Sequence, residues 1–181
     1  MSTSDRVRVY LPLTPVLLRA AWDAKEFTPP PLLGHAVTPA LVAELGGADA
    51  EEGEYAALTA AALESLEMLT PEDPPRRVVA AVDVASWESR AESDQASAVV
   101  VPTTVGWRRL ASVHVDAADA AAAVGDARDA LAAATADPAV DAAGAIERCL
   151  DHEPGWFAVQ EIDALLEDLW LEPPGARATI G

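Results

Sequence analysis

His114 and Asp116 stand two residues apart in Ala111-Ser112-Val113-His114-Val115-Asp116. Alternation along a strand would turn both side chains to one face and leave Ala111, Val113 and Val115 on the other. An imidazole and a carboxylate so placed can supply two metal ligands, or a general base with the acid that orients it. His152-Glu153 repeats the pairing at the end of a helical stretch, where the helix dipole favours a cation in any case. His35 follows Gly34 and has no carboxylate near it in sequence. The pairing itself discriminates little, because with 30 acidic residues in 181 a histidine meets an acid within two positions about as often as not. A surface or hydrogen-bonded structural pair is therefore the plainer expectation. The sharper one is acid–base work by His114 and Asp116, or metal ligation by His114, Asp116 and His152.

Larger chemical signatures are missing. There is no Gly-x-x-x-x-Gly-Lys-Ser/Thr phosphate loop, no Gly-x-Gly-x-x-Gly, no Gly-x-Ser-x-Gly elbow and no His-Glu-x-x-His, and no cofactor is expected. Cys149 is the only cysteine, which excludes an internal disulfide and a multi-cysteine zinc site, and it reads as a small buried hydrophobe. The five tryptophans, at 22, 87, 107, 156 and 170, sit on apolar stripes and read as core before they read as a ligand pocket.

The formal charge of −18, from 30 acidic against 12 basic residues, repels nucleic-acid phosphates and anionic lipid, so partners are expected to have neutral or basic surfaces. Lys25 is the only lysine. No apolar run reaches the ~20 residues of a membrane span. Met1–Asp5 lacks the basic start of a signal peptide, so a cytoplasmic protein is expected.

The elements that must position these residues follow from periodicity. Arg6–Leu11 alternates as a strand ending at Pro12. Thr14-Pro15 then caps a helix carrying Leu17, Leu18, Ala21 and Trp22. Pro29–Pro31 force an extended connection, His35–Val37 could form a short strand, and Thr38-Pro39 opens a brief helix that Gly46-Gly47 ends. A helix over 54–69 has Tyr55, Leu58, Ala62, Leu66 and Leu69 on one stripe, with Glu64 and Glu67 off it. The runs Val78–Val84 and Ala98–Val101 are apolar enough for central strands buried on both faces. A polar loop, Ser86–Ser97, separates them, and a short turn over Val105–Leu110 leads to the His114 strand. Alanine-rich helix follows over 119–134, broken near Gly125, and resumes from Pro138 towards His152. Trp156–Gln160 after Pro154-Gly155 favours a strand before a helix over 162–170, although one continuous helix also fits the spacing.

These elements predict one α+β domain over 1–171, a mixed sheet of four to six strands covered by helices, and a flexible tail over 172–181. If 6–11 and 111–116 share that sheet, Tyr10 and His114 fall on one face, and a groove beside Tyr10, His114 and Asp116 would have Gln160 and Glu161 on its rim.

Five blocks, Val9-Tyr10-Leu11-Pro12, Ala36-Val37-Thr38-Pro39-Ala40-Leu41, Glu54-Tyr55-Ala56-Ala57, Val113-His114-Val115-Asp116 and Trp156-Phe157-Ala158-Val159-Gln160-Glu161, span most of the chain in order. Together they resemble an uncharacterised family of small acidic actinobacterial proteins. That resemblance implies no activity. The residues favour a non-enzymatic protein that binds a protein partner through its acidic surface, with a small metal-dependent or acid–base enzyme using His114 and Asp116 as the alternative.

Overall fold

The structure, a computed structural model, describes residues 6–171; the expected tail over 172–181 lies outside them. Strand β1, Val7–Leu13, leads through Thr14 into helix α1, Pro15–Ala24, whose first turn is capped by the Thr14 hydroxyl accepting from the Leu17 N–H. Short strands β2, Glu26–Phe27, and β3, Leu32–His35, precede α2, Pro39–Glu44, which Gly46 and Gly47 terminate at φ +75° and +93°. Helix α3 spans Ala50–Met68, and there follow β4 at Val78–Val84, β5 at Glu88–Ser89, β6 at Ala98–Val101 and β7 at Val105–Gly106. Strand β8, Leu110–Val115, is followed by α4, Ala121–Ala136, α5, Ala143–Leu150, β9, Gly155–Ala158, and α6, Ile162–Asp168.

Seven strands form one sheet in the order β5-β6-β3-β1-β4-β8-β9, and β2 pairs with β7 in a separate ribbon. The class is α+β, as expected. The sheet is larger than the four to six strands anticipated, because the polar loop over 86–97 contributes β5, while the stretch after Pro154-Gly155 forms the favoured strand, β9. A mixed sheet was expected, yet each pairing is antiparallel.

The sheet is covered on both faces. On one, Val9, Leu11, Val78, Ala80, Val113 and Val115 meet Leu18 of α1 and Ile162, Leu165 and Leu166 of α6. On the other, Tyr10, Val79 and Ala81 meet Ala57, Ala61 and Ala62 of α3. Behind α3, its Leu66 packs with Val124 and Ala127 of α4 and Cys149 of α5. Helix α3 is thus buried on two sides: Ala62, Leu66 and Leu69 of the expected stripe are buried, and a second face of small residues is buried beside it. Tyr55 is 57% exposed, while Gly53, Ala57, Ala61 and Ser65 are buried, because small side chains let the helix lie close to the sheet. Ser65 joins the layers: its hydroxyl accepts from the Val78 N–H (2.9 Å) and donates to the Leu13 carbonyl (2.7 Å), bridging the end of the β1–β4 ladder.

Three further differences have local causes. Helix α4 runs unbroken through Gly125, which costs only about 1 kcal/mol against alanine inside a helix. A β-bulge shifts the β4–β8 register between Ala81 and Val82, so Leu110 takes the core position expected for Ala111. Strand β1 does not stop at Pro12. Backbone groups alternate sides along a strand, so the donor that Pro12 lacks is on the side of Tyr10, facing β3, while the ladder to β4 continues to Leu13↔Val78. β3 meets β1 closely only at Tyr10↔His35, where Gly34 is needed. A Cβ there would lie 2.8 Å from Val9 Cγ1 and 2.9 Å from the Tyr10 carbonyl oxygen.

Candidate functional site

Where β3 draws away from Pro12 the structure opens. A cleft of about 510 Å³ lies between the C-terminal half of β1, helix α1 and the segment from Glu26 to Leu33, with Glu64 and Met68 of α3 in its wall. Its lining is leucine, alanine, proline and Phe27 almost throughout, and Leu17 and Leu33 in that lining are 41% and 45% exposed. Large apolar side chains are here left open to solvent in a concave surface of the size that small-molecule sites have. The cause is local: a proline that cannot continue the ladder, and the Pro29–Pro31 run that returns the chain without covering the gap.

Glu64 is the polar feature of that wall. Oε1 accepts from Arg90 Nη1 (2.9 Å), and Oε2 accepts from Arg90 Nη2 (3.1 Å) and from His35 Nε2 (2.7 Å). His35 Nδ1 lies 2.8 Å from Ser97 Oγ, and both His35 and Ser97 are buried. Burial pushes the Glu64 carboxyl up, but the hydrogen bonds from His35 and Arg90 and their charge outweigh it and hold it at about 2. The line Ser97–His35–Glu64 superficially suggests a nucleophile, base and acid. The hydroxyl is sealed in the interior, so the network positions Glu64 and exposes no nucleophile.

The residues singled out by sequence are only partly brought together. Tyr10 and His114 share a sheet face, their rings edge to face at 6.4 Å. The Tyr10 hydroxyl reaches Glu54 at 3.4 Å, and burial together with that carboxylate pushes its pKa up to about 12. Burial and the charge of Arg8 lower that of His114, whose Nε2 lies 3.4 Å from Ser112 Oγ. Asp116 makes no hydrogen bond to His114 among the described residues. It is fully buried against Arg77, with Oδ2 accepting from the Arg77 N–H (2.7 Å) and Nε (2.9 Å) and Oδ1 from Nη2 (2.7 Å). Burial would lower the Arg77 pKa, and the bonds and charge of Asp116 more than reverse this.

His152 meets this pair only through its backbone, whose carbonyl accepts from Arg77 Nη2; it lines a smaller pocket of about 190 Å³ with Arg77, Tyr55 and Leu58, and the Tyr55 hydroxyl donates to Glu153 across 2.9 Å. Gln160 and Glu161 are exposed beyond β9, and Glu161 accepts from the Ala158 N–H, capping the turn that follows. Among the described residues no three His, Cys, Asp or Glu side chains converge as a metal site. Cys149 is buried, as expected, and burial raises its thiol pKa. The tryptophans are not core: Trp156 is 61% and Trp170 47% exposed, and Trp22, Trp87 and Trp107 are partly buried at its margin.

Sequence reasoning missed Glu64, Arg77, Arg90 and the cleft. Arg76-Arg77 directly before an almost wholly apolar strand was the available signal, since an arginine drawn into that environment requires a buried acid. Glu64 carried none, because its partners come from β3 and from the chain after β5.

Fold and site together define an α+β protein with an antiparallel sheet covered on both faces and an apolar cleft beside its central strand. The family of unknown function DUF6912 matches residues 7–166, and the chain belongs to it. That agrees with the resemblance to an uncharacterised family. No curated protein and no solved structure matches the chain. No described helix is long and apolar enough to cross a membrane.

Proposed function

We propose that this is a non-enzymatic binding protein whose ligand is a small molecule with an apolar body, seated in the cleft between β1, α1 and the 26–33 segment. The observation that carries this reading is the open apolar lining of a cleft of about 510 Å³, with Leu17 and Leu33 uncovered. Acid–base or metal chemistry by His114 and Asp116 has less support, since both carboxylate oxygens of Asp116 are engaged by Arg77. The test is titration with the neutral, environment-sensitive dye Nile red. One saturable site is expected, and it should vanish in Ala20→Phe, which places a ring in the cleft from an exposed position of α1. Unsaturable binding, or binding that Ala20→Phe leaves unchanged, removes the reading.

A second reading, a protein partner with a neutral or basic surface, is favoured by a different region. Tyr55 and Leu150, at 57% and 41% exposure, line the smaller pocket beside Glu153 and Pro154, and Trp156, two residues further along the chain, is 61% exposed. Exposed aromatics beside acid groups suit a partner with apolar and basic residues. A low-salt pull-down should retain a partner that Trp156→Ser loses and high salt weakens. Equal retention by both proteins sinks this alternative.

A further inference from the structure

The cleft has a charge preference as well as an apolar lining. Its two ionisable lining residues are Glu26 and Glu64, and no lysine, arginine or histidine stands among the described residues that line it. The last turn of α1, which contributes Ala21 and Ala24 to the wall, has no basic residue. The residue that caps this end is Lys25, whose ammonium group lies over the Trp22 ring at 3.1 Å and is not part of the cleft lining. Arg90 approaches Glu64 without entering the lining. Three of the roughly four acceptor positions of the Glu64 carboxylate are taken, two on Oε2 and one on Oε1, which leaves Oε1 able to accept from a donor that enters the cleft. The field of the whole protein, at −18, draws cations and repels anions.

We infer that the ligand of this cleft is an organic cation: an amine whose hydrocarbon body lies along Leu11, Leu17, Phe27 and Leu33 and whose ammonium group is held by the carboxylates of Glu64 and Glu26. This rests on the cleft-binding reading and narrows it to one ligand class. Fatty acids and other apolar anions are excluded by the same charges, since their carboxylates would meet like charge with no cation in the wall. Neutral apolar molecules lose the ammonium–carboxylate contact.

The experiment is calorimetric titration of the full chain near neutral pH with three molecules of one skeleton: octylamine, 1-octanol and octanoate. Octylamine should bind at one site about tenfold more tightly than 1-octanol, as expected for one charge-assisted hydrogen bond, and octanoate should give no binding heat. Added salt should weaken octylamine and leave 1-octanol unaffected. Glu26→Gln, at an exposed position, should shrink the preference for the amine. Ala20→Phe should abolish octylamine binding, with Ala24→Leu as a second blocking variant should the first fail to fold. Equal affinity for octylamine and 1-octanol, or measurable binding of octanoate, overturns the cation inference and leaves the cleft reading standing. Binding of none of the three, or binding that both blocking variants retain, overturns the cleft reading itself.

Discussion

Asp116→Ala should lower the free energy of unfolding by about 3–5 kcal/mol, read as a lower urea midpoint. The side chains of Arg77 and Asp116 are 1% and 0% exposed and are joined by two hydrogen bonds, with a third to Asp116 from the Arg77 backbone N–H. With the carboxylate gone, the guanidinium keeps, among the described residues, only the His152 carbonyl as acceptor and stays where water cannot solvate it. That loss is large against the 5–15 kcal/mol total stability of a typical domain. Removing both charges should undo much of it, so Arg77→Met with Asp116→Leu should be more stable than Asp116→Ala alone. A double variant no better than the single one would show that the stranded charge is not the cause. The same pair decides the meaning of Asp116, because a carboxylate kept for catalysis or metal ligation would give no such recovery.

The second large effect is a pH dependence centred on Glu64. Its carboxyl is held at about 2 in the folded protein against an ordinary 4.5. In the unfolded chain it binds a proton at higher pH than in the folded one, so stability rises with pH across that interval. The contribution is complete above about 4.5 and is lost as the pH falls towards about 2. Its size is about 2 kcal/mol once the part of Glu64 that remains in contact with solvent is allowed for. Glu64→Gln should be less stable than the parent at neutral pH and should converge with it under acid conditions. Urea unfolding of both proteins across the acid range measures this. A constant difference between the two curves would mean that Glu64 contributes packing and hydrogen bonding alone.

Local chemistry was readable in the sequence, and long-range pairing was not. Thr14-Pro15 and Thr38-Pro39 announced α1 and α2, the Val78–Val84 run announced a strand buried on both faces, and Pro154-Gly155 before aromatic residues announced β9. Shared parity placed Tyr10 and His114 on one face, and the sheet bears that out. The partners of charged groups obey no such rule. Arg77 and Asp116 meet because Val78 pairs with Val115, and His35 meets Glu64 because α3 crosses the sheet above β3. The cleft was hidden for a related reason. Pro12 read as the end of a strand, when its effect is to part that strand from one neighbour while the other ladder continues.

The position of β1 also bears on how the chain leaves the ribosome. It is the first strand of the main sheet in sequence and occupies the fourth of the seven places, between β3 and β4. Its longest ladder is with β4, which is made roughly 70 residues later, a wait of roughly 4–14 s at about 5–20 residues per second. During that time α1, emerging directly behind it, can cover Val9 and Leu11, but the backbone edge that β4 will occupy stays bare. An uncovered edge invites pairing with other chains, and a charge or a proline in the strand discourages it. Arg8, set into an otherwise apolar strand, is suited to guard that edge until β4 is synthesised, while Pro12 withdraws a donor from the opposite edge, which β3 joins.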